Sequence, residues 1–207
     1  MKKKIAVLDY DIGNVRSVIK ALEYVGADPV LTDNPAIILN SAGLVVPGVS
    51  AFGACIEKLQ QKNLFEFLKE YLSSGRKYLG ICLGYQILFD ESEESPGVSG
   101  LKIFKGMVKK FPAGVKVPHI GWNSVRQSRT TMSYDGIADN AYFYFVHSFY
   151  PEPEDPEIVS GWTEYGITFA SSIEHKNIWA VQFHPEKSSK NGLRLIKNFV
   201  RWCVGSD

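Results

Sequence analysis

The 207-residue chain predicts an α/β fold: a central, mostly parallel sheet flanked by helices, with additional antiparallel strands in the second half. Three observations carry this expectation. Up to about residue 100, short apolar runs alternate with segments of helical spacing, the pattern of parallel strands joined by helical crossovers. Beyond it, aromatic runs follow one another with few helical stretches between them, which predicts strands that are partly antiparallel. From about Ser189 the helical spacing returns once more.

Residues 5–8 form a β-compatible run that ends at polar Asp9. Gly13-Asn14 opens a helix with Val15, Val18, Ile19, Leu22 and Val25 on its apolar side, closed by Gly26. Residues 29–31, 43–46 and 78–81 read as the second, third and fourth strands, with helices over 51–61 and 64–72 between the last two. In the second half, 141–150, 158–162 and 178–183 read as strands. The acidic stretch 90–97 and the proline-rich stretch 151–156 read as loops. In the last helix Leu193, Ile196, Phe199, Val200 and Cys203 share a face, with serines ready to cap its start. No repeat or linker divides the chain, so one domain over 1–207 is expected, a length that a single buried core can serve.

Twenty-three Lys plus Arg against 22 Asp plus Glu give a formal charge of +1, so no global field draws nucleic acid or an anionic membrane. Lys2, Lys3 and Lys4 precede an apolar run of residues 5–8, too short for a signal-peptide core or a membrane span, and a cytoplasmic protein is expected. Cys55, Cys82 and Cys203 are odd in number and widely spaced, which argues for free thiols over a disulfide framework or a zinc knuckle.

Gly80-Ile81-Cys82-Leu83-Gly84 stands where an apolar strand gives way to a helical stretch carrying Tyr85, Leu88 and Phe89. A sharp strand-to-helix turn forces its central residue into an unfavourable backbone region, and flanking glycines let neighbouring segments close around it. Such an elbow exposes the Cys82 thiol above the sheet. The helix amino end favours the thiolate, and the Leu83 N–H can serve an oxyanion hole.

A nucleophilic thiol needs a base, and Phe183-His184-Pro185-Glu186 closes the apolar run 178–183. Residues two apart on a strand face one side, so Glu186 can hold one ring nitrogen of His184 while the other faces Cys82. These ligand types would also suit a metal, but the elbow favours nucleophilic use, and neither metal nor cofactor is called for. His119, His147 and His175 lack such company and are expected to be structural. Pro47-Gly48-Val49-Ser50 follows the third strand, and ligands in open α/β sheets lie beyond the carboxyl ends of the strands. That loop, Cys82 and residues 9–14 should therefore converge, with backbone N–H groups there able to complete the oxyanion hole.

In this order and spacing the three motifs resemble the class I glutamine amidotransferases, and the resemblance covers essentially the whole chain. Within that class the chain is similar to the glutaminase subunits of imidazole glycerol phosphate synthase. Further points of likeness are Asp9-Tyr10 with Gly13-Asn14-Val15-Arg16-Ser17, Ala51-Phe52, Leu88-Phe89 with Ser92-Glu93-Glu94, Pro118-His119-Ile120-Gly121-Trp122-Asn123, and Lys187-Ser188 after the His-Pro-Glu. The resemblance implies that Cys82, His184 and Glu186 release ammonia from glutamine through a thioester, with Val49 and Leu83 at the oxyanion. It implies that Gly48, Ser50, Phe52, Gln86, Ser148 and Phe149 help hold the glutamine, and that Asn14, Trp122 and Lys187 face a partner. That partner would be a (β/α)8 barrel cyclase using the ammonia in histidine biosynthesis; related subunits feed other synthases, including enzymes that amidinate surface sugars. Asp11 and Ser50 depart from the family, which carries glycine at both places. The loop holding Ser50 is implied to switch the Val49 N–H toward the oxyanion by a peptide flip.

Overall fold

The computed structural model describes residues 4–11 and 14–205. Lys2, Lys3 and Gly13, named above, lie outside the described residues. Strand β1 (Lys4–Leu8) leads into helix α1 (Val15–Tyr24), β2 (Asp28–Thr32), the short helix α2 (Pro35–Leu39), β3 (Gly43–Gly48), α3 (Phe52–Gln61), α4 (Phe65–Ser73) and β4 (Tyr78–Cys82). After α5 (Leu83–Gln86) come β5 (Glu91–Ser92), β6 (Gly106–Lys110), β7 (His119–Gln127), β8 (Ala141–His147), β9 (Phe149–Pro153), β10 (Val159–Glu164), β11 (Thr168–His175), β12 (Ile178–Val181) and α6 (Ser189–Val204).

Nine strands form one sheet in the order β2-β1-β3-β4-β12-β11-β10-β7-β8. The first five are mutually parallel and the last four are added antiparallel, so the division expected from the sequence is that between one side of the sheet and the other. β12 belongs to the second half of the chain yet lies beside β4 in the parallel part, in register Ile81↔Val181. Strand alternation sorts the core into two layers. Ile5, Val7, Val45, Leu79 and Ile81 pack with α1 and α6, whereas Ala6, Leu8, Leu44, Val46 and Tyr78 pack with α3, α4 and α5. These strands are buried on both faces, as parallel strands covered by helices are.

Several local expectations are corrected: the run 141–150 breaks at Ser148 into β8 and β9, which lie in different sheets, and β5 falls within the stretch 90–97. The helix begun at Leu83 stops after four residues, because the carbonyls of Ile87 and Leu88 are taken by Leu101 N (2.8 Å) and Ile103 N (2.9 Å) instead of by a next helical turn. Gly100 permits this approach, since a Cβ there would stand 2.2 Å from the Phe89 carbonyl. Part of the 151–156 loop is strand, with Pro151 and Pro153 opposite Val108 and Gly106. Glu154 N reaches Lys105 O at 3.1 Å, so by alternation the missing N–H groups of both prolines fall on the side away from β6. Ser188 does not cap α6; its hydroxyl accepts from Tyr144 N (2.9 Å) and donates to His184 O (2.6 Å), tying the His184 turn to β8.

Candidate active site

At the end of β4 the backbone of Cys82 adopts φ 54°, ψ −103°, a conformation that L-residues avoid. Close packing holds it there. A Cβ on Gly84 would stand 1.9 Å from the Val46 carbonyl, and one on Gly80 would stand 2.4 Å from the Gly84 carbonyl. Only hydrogen at both positions lets β3, β4 and the turn close on one another. The Tyr78 hydroxyl donates to Gly84 O at 2.7 Å and fixes the turn from below. A helix of four residues sums few peptide dipoles, so the support for a thiolate must come mainly from side chains beside the sulfur.

His184 follows β12, the neighbour of β4. Its Nδ1 is 2.8 Å from Glu186 Oε1, and both side chains are almost wholly buried. Glu186 sits in a 3-10 turn, Pro185–Lys187, which carries its carboxylate back under the ring. His184 Nε2 and Glu186 Oε2 are buried without a hydrogen-bond partner. Burial pulls the imidazole pKa down, but Cys82 and Glu186 more than offset it and raise it to about 10. Cys82 exerts the larger upward pull although no hydrogen bond of regular geometry joins its sulfur to Nε2. A buried ring nitrogen with no partner in the fold, beside a thiol, suits a group that exchanges a proton during a reaction.

A cavity of about 210 Å3 opens over Cys82, lined by Val49, Ser50, Cys82, Leu83, Gln86, Glu94, Val146, His147, Ser148 and Phe149. Larger clefts exist, one of about 520 Å3 between Thr130, Asp135, Glu174 and Arg201, but no cysteine lines them. The structure thus brings Val49, Ser50, Leu83, Gln86, Ser148 and Phe149 around the thiol. Gly48 and Phe52 do not line the cavity. Gly48 pairs with Cys82 across β3 and β4, while Phe52 is buried at the start of α3, its N–H donating to Glu94 Oε2 at 2.7 Å. Glu94 and His147 are lining residues that the sequence pattern did not single out for the pocket. Gln182, which does not line the cavity, is a buried neighbour of the thiol that the pattern also missed, its Nε2 3.5 Å from Cys82 Sγ. Its position two residues before His184 was the available signal, since alternation puts residues two apart on one face of a strand.

Three residues are turned toward a partner by the resemblance alone. Trp122 is 51% exposed on β7, Lys187 is exposed in the 3-10 turn, and Asn14 precedes α1, which packs on that turn together with β8. The two departures from the resembling family differ in backbone demand. Asp11 has φ 65°, the left-handed region in which glycine is unstrained and Asp is among the better tolerated alternatives; its carboxylate lies 3.3 Å from Lys62 Nζ. Ser50 is not among the described residues with positive φ, so in this conformation its Cβ meets no such penalty.

The family model described as glutamine amidotransferase class-I matches residues 6–202. A protein of Moorella thermoacetica named imidazole glycerol phosphate synthase subunit HisH is 49% identical over 197 residues, covering 95% of this chain and 94% of that one. Subunit HisH 1 of Methanococcus maripaludis is 46% identical, over 95% and 98% of the two chains. Among solved structures, PurLQS from Thermotoga maritima aligns with a TM-score of 0.77 at 16% identity, over 98% of this chain and 99% of that one. A glutamine amidotransferase from the same organism aligns with a TM-score of 0.68 at 15% identity, over 100% of both chains; at such identities these two speak for the fold alone. By the elbow, the fold and the extent of the family match together, the chain belongs to the class-I glutamine amidotransferases.

Proposed function

We propose that this chain is the glutaminase subunit of an imidazole glycerol phosphate synthase, which hydrolyses glutamine and passes the ammonia to a cyclase subunit with a (β/α)8 barrel. The observation that carries the glutaminase reading is the strained Cys82 thiol on a small cavity beside a buried His184–Glu186 pair. The choice of synthase rests on the relatives named subunit HisH, which are 44–49% identical over nearly the whole chain.

In this reading His184 takes the thiol proton, and the Cys82 sulfur attacks the side-chain amide carbon of glutamine. The Leu83 and Val49 N–H groups hold the developing oxyanion. A ring that binds its proton tightly then delivers it to the departing nitrogen, so that ammonia leaves and a thioester remains. Water, deprotonated by His184, attacks the thioester and releases glutamate. Glu186 keeps the ring in one tautomer and offsets its charge. Glu94, a carboxylate on the cavity wall, suits the α-ammonium group of the amino acid. Ammonia is a nucleophile only while unprotonated, which calls for a dry passage to a docked partner. The outer face of β7 and β8 offers a docking surface, with Ile120, Trp122 and Tyr142 each more than half exposed.

Replacing the nucleophile tests this directly. With the cyclase present, Cys82→Ser should abolish glutamine-dependent synthesis and leave ammonium-dependent synthesis near the wild-type rate. Loss of both would overturn the division of labour.

A further inference from the structure

Two polar side chains flank the Cys82 sulfur, and the mechanism above uses only His184. The other, Gln182, is fully buried. Its Nε2 lies 3.5 Å from Cys82 Sγ, and its Oε1 accepts from Gln86 Nε2 at 3.0 Å. Gln86 Nε2 also donates to the Phe149 carbonyl at 3.0 Å.

One atom fixes the direction of this chain of hydrogen bonds. A backbone carbonyl can only accept, so the end of Gln86 that faces Phe149 O must be its nitrogen. That nitrogen also meets Gln182, so the facing atom of Gln182 must be its oxygen. The Gln182 nitrogen is then left to point at the sulfur. Turning either amide over would set donor against donor or acceptor against acceptor. The same carbonyl takes the Nδ1 proton of His147 at 2.8 Å, whose Nε2 pairs with His119 Nδ1 at 3.0 Å, whose Nε2 in turn faces Asn123 Nδ2 at 3.3 Å. Burial keeps both rings neutral, lowering His119 to about 4 and His147 to about 3, so this arm holds its polarity at neutral pH. Both amide hydrogens of Gln86 are used within the fold, and its Oε1 remains without a partner among the described residues, on a side chain that lines the cavity.

We propose that Gln182 is a positioning residue of the glutaminase reaction: it donates an N–H to the Cys82 sulfur, favouring the thiolate in its attacking place, and shares with the Phe149 carbonyl the task of holding Gln86 so that its oxygen meets the bound glutamine. The inference deepens the glutaminase reading and rests on it for the reaction, though not for the state of the thiol. A buried amide is costly unless its hydrogens find acceptors, and the sulfur is the acceptor that Gln182 Nε2 meets among the described residues. A hydrogen bond to the charged form of an acid stabilises that form.

The test is the pH dependence of Cys82 alkylation by iodoacetamide in the full chain, followed by mass spectrometry of the peptide that carries it. Cys55 and Cys203, buried like Cys82 but not on the cavity that opens over it, serve as internal controls. In Gln182→Leu the midpoint should rise by about one pH unit, since the sulfur loses a charge-assisted hydrogen bond. In Gln182→Glu it should rise at least as far, because the donor is replaced by an anion. Glutamine turnover in the complex with the cyclase should separate the two arms. The carboxylate of Gln182→Glu can still accept from Gln86, so KM should stay within about twofold while kcat falls about tenfold; Gln182→Leu should raise KM as well. A Gln182→Leu protein with wild-type melting and a wild-type alkylation midpoint would overturn the proposal, and this holds even if Gln182→Glu does not fold. Alkylation needs no glutamine: a wild-type complex inert toward glutamine would overturn the proposed function, while the midpoint would still decide the Gln182–Cys82 bond.

Discussion

The strand that ends at Cys82 and the strand that leads to His184 lie side by side, yet they hold their functional side chains by different physics. At β4 the conformation is enforced by hard contact: glycines at 80 and 84 leave no room for the Cys82 turn to relax. Beyond β12 it is enforced by polar partners drawn from elsewhere in the chain. Ser188 ties His184 O to β8, His184 N reaches Tyr144 O at 2.9 Å, Glu186 holds the ring, and Gln182 spans from Cys82 to Gln86. The first arrangement is local and unforgiving. The second is distributed, so a single loss there should weaken function before it threatens the fold.

That contrast breaks most readily at Gly84. A Cβ aimed at the Val46 carbonyl meets backbone that no rotamer change can move, so Gly84→Ala should cost about 3 kcal/mol of stability in urea unfolding. A loss below about 1 kcal/mol would show that the elbow is not held by sterics.

The next effect comes from the polar side. His119 and His147 are depressed by burial below the roughly 6.5 of an unfolded imidazole, so the stability they contribute is present above that pH and is lost as pH falls toward 4. His184 has the opposite sign: its raised pKa contributes stability below about 6.5 that is lost as pH rises toward 10. Unfolding at pH 7 and 4.5 should show the wild type losing about 2 kcal/mol for each of His119 and His147. His119→Gln, which has no charge to gain there, should lose less over the same span; an equal loss would place the acid sensitivity elsewhere.

The smallest effect is expected at the loop that follows β3. If the Val49 peptide flips to build the oxyanion hole, a serine entering positive φ costs about 1 kcal/mol that glycine avoids. In the free subunit, Ser50→Gly should then raise the basal glutaminase rate about fivefold and leave the partner-stimulated rate nearly unchanged. An unchanged basal rate would remove Ser50 from the switch.

What the sequence disclosed follows the same division. The elbow was legible because steric demands act between residues close in the chain, and Gly80-Ile81-Cys82-Leu83-Gly84 states them in one run. The His184–Glu186 pair was legible because its members stand two residues apart, although the 3-10 turn Pro185–Lys187, and not the strand alternation expected, brings the carboxylate to the ring. β7 was not read as a strand, since His119 and Asn123 look like surface residues until His147 and the Glu164 carbonyl are known to satisfy them. Gln182 was hidden in the same way, as its partners stand 96 and 100 residues away in the chain. The helix expected through Leu88 and Phe89 failed because the segment around Gly100 claims its carbonyls, a competition that no local pattern announces.

In the proposed function Cys82 releases ammonia for a partner and not merely into solvent. With the cyclase and its acceptor present, glutamine labelled with 15N at the side-chain amide should pass its label into the imidazole product, one label for each glutamate formed, even with excess unlabelled ammonium in solution. Glutamate formed at the same rate with the label recovered in the bulk ammonium would contradict the account.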